Sequence, residues 1–263
     1  MVDGEAPLSI YEEETPEVVD IWEHFTTDWK SSREAEMAYL YAKKRKIPDV
    51  FLQDSTLGYF TGGPLQGRLG AVARDVSTLQ PQYAVGRSLR GEKPKYLYPS
   101  AASCGCGKGD VVFNLHRFPR GHNRLIIVEG AISALSAPDC IATLGNSLSD
   151  NQAYAILEHE PKAVYYTYES NIHPYHAIRQ AAKLSSRGQL TYLAPLLRGD
   201  FNDDPTQLDE VLANAIRLNA YSAPLGEPRQ ERLSGMRAFL GVQDSLHVSD
   251  KALFRTSTIG ACR

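Results

Sequence analysis

Three short motifs in this chain carry oxygen donors where an apolar run stops. Arg124-Leu-Ile-Ile-Val-Glu-Gly130 is an apolar run that ends in a carboxylate and a glycine. Val164-Tyr-Tyr-Thr-Tyr-Glu169-Ser-Asn171 ends a second run in the same way, and Gly199-Asp200-Phe-Asn-Asp203 follows a third. Between the first two, Ala142-Thr-Leu-Gly145 closes a further apolar stretch. Strand ends in an open α/β sheet converge on one crevice. Hard oxygen ligands gathered in such a crevice are what Mg²⁺ takes, and Mg²⁺ serves phosphoryl transfer. Each motif alone has a plainer reading. A carboxylate such as Glu129 suits a helix N-terminus, and Asp200 and Asp203 are ordinary turn residues.

The elements needed to position these groups are legible around them. Strand patterns at 124–128, 140–144, 163–168 and 189–194 alternate with helix patterns at 131–137, 149–158, 174–187 and 206–220. That alternation predicts a mostly parallel α/β sheet flanked by helices. Ser149-Asp150 and Thr206 are expected caps. Upstream, Ser31-Ser-Arg-Glu34 has the form of a capping box, and Pro48 stops the helix that follows it. Leu57–Phe60, Leu69–Ala73 and Tyr83–Val85 read as strands between turns. The expected organisation is an acidic flexible arm at 1–25, a smaller mixed α+β subdomain at 26–122, the α/β domain at 123–221 and a tail at 222–263.

Composition fits a globular protein with a substantial core: 263 residues, 43% apolar and 22% charged. No apolar run reaches the roughly 18 residues of a membrane helix. The acidic start lacks the basic n-region of a signal peptide, so a cytoplasmic location is expected. Cys104 and Cys106 have one residue between them, without a second pair at zinc-finger spacing, so no structural zinc is expected. His116, His122, His173 and His176 lack partners at metal spacing and read as surface or satisfied histidines. Tyr165, Tyr166 and Tyr168 read as a half-buried strand.

Charge is uneven along the chain. The net charge is −3, yet residues 1–20 hold seven acids and no base, which leaves +4 on the remainder. Between Thr61 and Arg124 stand ten Arg or Lys against three acids. Such an excess is either a solvated basic face or a footprint for a phosphate backbone. Within it, Arg87, Arg90, Lys93 and Lys95 lie close to the aromatic Tyr96, an arrangement that holds phosphates and stacks bases.

These blocks resemble the TOPRIM domain, the metal-binding α/β module of topoisomerases, bacterial DnaG-type primases and certain nucleases. The order matches: a Val-Glu-Gly turn, a Thr-Leu-Gly turn, an aromatic-led acidic motif and an Asp-Phe-Asn-Asp motif. Arg45-Lys46-Ile47 and Leu57-Gly58-Tyr59 resemble the start of the primase catalytic core. Gly67-Arg68-Leu69, Val85-Gly-Arg87-Ser-Leu89, Lys95-Tyr-Leu97 and Phe113-Asn-Leu-His116 continue it in the family's order. The resemblance covers about residues 30–205. It implies that Glu129, Glu169 and Asp200 are catalytic and that Glu129, Glu169, Asn171, Asp200 and Asp203 line a Mg²⁺ or Mn²⁺ site. It also implies that Arg87 and Lys95 hold template or nucleotide phosphates, beside Arg90, Lys93 and Tyr96, which charge and aromatic character mark for nucleic acid or nucleotide.

The pattern departs from the family at the metal. Ser133 stands where the family has an Asp, Glu169-Ser-Asn171 replaces Asp-x-Asp, and His173-Pro174 replaces the usual Ala-Gly. Two carboxylate charges are lost, and the longer Glu169 arm moves an oxygen; a misplacement of ~1 Å can cost roughly 100-fold in rate. Three expectations follow. The first is a primase that copies single-stranded DNA into short RNA from ribonucleoside triphosphates, in a bacterial or virus-infected cell, with a replicative helicase as a candidate partner. The second is a catalytically degenerate TOPRIM protein that binds single-stranded nucleic acid or a replisome component. The third, which the upstream half disfavours, is a TOPRIM nuclease. No membrane partner is expected.

Overall fold

The computed structural model of the chain describes residues 20–169, 172–199, 201 and 203–218. Asn171, Asp200 and the expected tail at 222–263 lie outside the described residues. Two five-stranded sheets organise the rest, and the architecture is mixed α/β.

The first sheet is antiparallel throughout, in the order β1 (Phe25–Thr26), β2 (Leu57–Phe60), β3 (Leu69–Arg74), β4 (Pro81–Arg87), β5 (Tyr96–Leu97). Its helix α1 (Arg33–Lys44) begins at Ser32, whose hydroxyl accepts from the Ala35 amide at 3.1 Å. The cap therefore sits one residue beyond the expected Ser31. Ala35, Ala38 and Ala42 form the buried stripe of α1, and their small side chains let the helix lie close on the sheet. Ile21, in the last stretch of the expected acidic arm, is buried beside Phe60, Leu65 and Ala84. Two short helices, α2 (Val50–Gln53) and α3 (Ala101–Cys104), flank this half.

One feature of β2, β3 and β4 is a row of cross-strand glycines, Gly58, Gly70 and Gly86. A Cβ at Gly58 would lie 2.3 Å from the Phe25 ring, at Gly70 2.5 Å from the Phe60 ring, and at Gly86 2.9 Å from the Arg68 side chain. The absence of side chains lets two rings and an arginine stem lie flat on the strands.

The second sheet has the order β10-β9-β8-β6-β7. Strands β6 (Leu125–Val128), β7 (Cys140–Ala142), β8 (Val164–Tyr168) and β9 (Thr191–Pro195) are parallel. Helices α4 (Ala131–Ser136), α5 (Asp150–Glu158) and α6 (Pro174–Ser185) connect them. β6 is buried at every position, as a central parallel strand covered on both faces must be. Ser149 caps α5 as expected, with Gln152 completing the box.

The last expected helix, 206–220, is replaced by a shorter helix and a strand. α7 (Leu208–Ala213) stops at Asn214, and β10 (Ile216–Leu218) adds an antiparallel edge to β9. Asp204, not Thr206, caps the entry, accepting from the Thr206 amide at 3.1 Å. Ile216-Arg217-Leu218 alternates apolar, charged, apolar, the period of a strand with one face covered.

The two sheets share a core. One apolar cluster joins Leu57, Leu69 and Val85 of the first sheet to Ile126, Val128 and Ile132 of the second half. Phe113 bridges to Ala142 across the junction, and within the first half Arg117 forms an ion pair with Asp54, donates to the Thr56 hydroxyl at 3.1 Å and sits 4.5 Å over the Phe51 ring. Among the described residues no helix is long and apolar enough to cross a membrane.

Candidate metal and nucleotide site

The parallel strands deliver their C-terminal ends to one cleft. Val128, Glu129, Gly130 and Ser133 form one side, Thr167, Tyr168 and Glu169 another, and Leu196 and Phe201 the third. Glu129 follows β6 and Glu169 follows β8, and these strands are adjacent. Two of the expected carboxylates thus meet where the sheet stops. Ser133, one turn into α4, is 3% exposed and lines the same cleft. It is the residue that stands where the resemblance expects a carboxylate.

Asp203 is placed differently. It does not line the cleft wall; it is exposed, and Oδ1 accepts from Arg45 Nη1 at 2.9 Å. Arg45 is the C-cap of α1, so this ion pair joins the first half of the chain to the loop after β9. Phe201, fully buried, lines the cleft between Gly199 and Asp203.

The donor set of the cleft, carboxylate and hydroxyl oxygen, is the kind Mg²⁺ accepts. Mg²⁺ is often held by one or two carboxylates together with substrate phosphates and water. Glu129 and Glu169 fit that sparse arrangement. Among the described residues no group of three or more His, Cys, Asp or Glu side chains is set to hold a metal by itself.

Beside the cleft runs a series of alternating cations and aromatics. Arg45 lies 5.5 Å over the Tyr41 ring, and Arg87 Nε donates to the Tyr41 hydroxyl at 3.1 Å. The Arg87 guanidinium lies 4.7 Å from the Tyr96 ring centre, Tyr96 is 6.4 Å from Tyr98, and Lys108 Nζ sits 4.6 Å over Tyr98. Cation–π contact of this kind orients both partners. The series touches the cleft at two points. The Tyr96 hydroxyl would be 3.3 Å from a Cβ at Gly130. The Tyr98 phenol is pushed up by burial and, secondarily, by the negative charge of Glu129. Burial and Glu129 likewise raise Tyr166 behind the cleft.

The expected nucleic-acid residues divide by exposure. Arg90, Lys93 and Lys95 are exposed. Arg87 is 7% exposed, and its Nη1 is buried with no hydrogen-bond partner among the described residues. A buried guanidinium nitrogen without a partner is costly, and an incoming anionic oxygen is a natural remedy. Tyr98 and Lys108 belong to the same series but were not singled out by sequence. The signal for Tyr98 was available, since Tyr96 and Tyr98 stand two apart. Lys108 had none, because its place is set by Gln152, whose side-chain nitrogen reaches the Lys108 carbonyl at 3.0 Å and the Val111 and Thr143 carbonyls at 2.9 Å.

The histidines fall into separate roles. His122 pairs with Asp139 at 3.0 Å, His173 caps α6, and His176 bonds the Asn146 carbonyl at 2.9 Å. His116 is partly buried, and its Nδ1 has no partner among the described residues. Tyr166 and Tyr168 are buried, and Tyr165 stacks on Tyr192 with ring centres 4.7 Å apart.

No protein-family model matches the sequence, and no curated protein does. Solved structures do. The chain is similar to a DnaG primase catalytic domain bound to ssDNA, with a TM-score of 0.60, 17% identity, and 73% of this chain and 75% of that one covered. The E. coli primase catalytic core gives 0.61 at 18% identity, covering 76% and 80%. The fold is that of the DnaG primase catalytic core. The Aquifex aeolicus primase, comprising zinc-binding and RNA polymerase domains, gives 0.63 at 21% identity, covering 86% of this chain and 66% of that one. The primase-core fold is mixed α/β, as are the two sheets and flanking helices of this chain.

Proposed function

We propose that this chain is a primase-type nucleotidyl transferase that extends an RNA on a single-stranded DNA template with ribonucleoside triphosphates. The observation that carries the reading is the convergence of Glu129 and Glu169 in one cleft, flanked by the Arg87–Tyr96–Tyr98–Lys108 series, on a primase-core fold. A divalent cation held by Glu129 and Glu169, with Asn171, Asp200 and Asp203 as further candidate ligands, would neutralise phosphate charge and polarise the reacting oxygens. The chain's own groups bind and orient. Arg87 offers its buried nitrogen to a phosphate, Lys93 and Lys95 attract the backbone, and Tyr96 brings its hydroxyl to the cleft beside Gly130. The hydroxyl of Thr167 is engaged with the Ile127 carbonyl at 2.6 Å and fixes the strand end that carries Glu169.

The test is a template-dependent assay with labelled ribonucleotides and Mg²⁺ or Mn²⁺. Wild type should yield short RNA, and Glu129→Gln should lower the yield at least roughly 100-fold, since even outer partners of a metal site cost 10–100-fold. No product with either metal, alongside intact DNA binding, rejects catalysis.

A second reading has its own support: Ser133 is buried in the cleft wall as a neutral group, and Asp203 is engaged with Arg45. On this reading the chain binds single-stranded nucleic acid or a replisome partner without catalysis. It predicts binding that survives EDTA; loss of binding on chelation removes it.

A further inference from the structure

A cavity of about 240 Å³ opens on the first sheet, away from the acidic cleft, between α1 and the β4–β5 connection. Glu34, Met37, Tyr59, Gln66, Arg68, Arg90 and Glu92 are among the residues around it, with Leu89 as an apolar wall. Its size is below the roughly 300–1,000 Å³ of sites for drug-sized ligands, and suits one planar ring system. Its lining is mixed. Met37 and Leu89 offer apolar walls, Glu34 a carboxylate, Gln66 an amide and Arg90 a guanidinium. Two carboxylates disfavour a phosphate there. One of them is already engaged: Glu92 accepts from the Ser88 hydroxyl and from the Arg90 amide at 3.2 Å. Arg68 donates to the Pro94 carbonyl at 3.0 Å and holds the connection in place. Glu34 and Arg90 are exposed and remain as the charged groups of the wall. Both act on the buried Tyr59 phenol, which burial and Glu34 push up and Arg90 draws down.

The cavity and the cation–aromatic series are linked by helix α1, which contributes to both. Glu34, Met37, Tyr41 and Arg45 are spaced three, four and four apart and share one stripe of α1. From Glu34 to Arg45 is about 16 Å along the helix axis, the length of about five stacked nucleotides. We propose that this cavity reads a guanine of a single strand whose phosphates run along the basic ridge formed by the cation–aromatic series with the exposed Lys93 and Lys95. Glu34 accepts from the adjacent imino and amino groups of the base, and Arg90 donates to its O6 or N7. Guanine is the base that offers two adjacent donors to a carboxylate and two acceptors to an arginine. The proposal rests on the reading of the chain as a single-strand binder.

Fluorescence anisotropy with a labelled short oligothymidylate, and with the same strand carrying one central guanine, tests it. In wild type the guanine should tighten binding about tenfold. Glu34→Gln should remove that gain without weakening the plain strand, whereas Lys95→Ala should weaken both strands alike. No gain in wild type, or a gain that persists in Glu34→Gln, overturns the proposal. If wild type binds neither strand at low salt, the single-strand reading itself falls. Saturation-transfer NMR with guanosine and adenosine then judges the cavity alone: a guanosine signal lost in Glu34→Gln supports it, and equal or absent signals overturn it.

Discussion

Ser133 shows how one residue sets the electrostatics of the cleft. It is 3% exposed beside Glu129 and Glu169, so a carboxylate there would add a third negative charge in a partly desolvated place. Ser133→Asp should therefore lower the melting temperature without metal, because an unpaired buried charge is unfavourable. Mn²⁺ should recover the loss, because a ligand that binds only the folded state stabilises it. A titration of melting temperature against Mn²⁺ checks both signs; a variant insensitive to Mn²⁺ would separate Ser133 from the metal. His116 makes a second residue-scale prediction. Burial, aided by the positive charge of Arg74, draws its imidazole down to about 4. In the unfolded chain it titrates near 6.5. Between those values the unfolded state binds the extra proton, so stability is retained above about 6.5 and declines as pH falls towards 4. Thermal melts across that range should show the decline, and His116→Gln should flatten its share.

At the scale of elements, the first sheet depends on what its strands omit. The row Gly58, Gly70 and Gly86 gives the Phe25 and Phe60 rings and the Arg68 stem their beds. Gly70→Ala should cost about 1–3 kcal/mol through overpacking, read as a lower urea midpoint with an unchanged slope. Arg68 holds the β4–β5 connection through the Pro94 carbonyl, so disturbance of this row should also reach the exposed Lys93 and Lys95. The parallel sheet was more legible than this one. Its strands and three of its four helices follow from apolar runs and caps, whereas 206–220 failed because six helical residues and three strand residues share one apolar pattern. Boundaries of that length are settled by what packs against them, here the free edge of β9.

For the whole molecule, the decisive contact is between the two halves. Arg45 with Asp203, and the bridge between Phe113 and Ala142, cross from one to the other, and a common apolar cluster lies between them. The basic ridge is thereby held against the acidic cleft, close enough for Tyr98 to feel Glu129. Such a surface should bind single-stranded DNA with strong salt dependence. Lys95→Ala should reduce the slope of log K against log salt by roughly one phosphate's worth, uniformly across sequences. A slope unchanged in that variant would place the DNA path elsewhere.

The sequence by itself determined the parallel strands, the position of Glu129 and Glu169 at their ends and the concentration of positive charge upstream, because periodicity and strand-end chemistry are local properties. The resemblance of ordered motifs to a primase core also lay within it. Only the tertiary structure decided that Arg87 is buried under Tyr96, that Asp203 is joined to Arg45, and that Lys108 stands over Tyr98. These depend on contacts between residues remote in the chain, and no local pattern encodes which remote surface a side chain will meet.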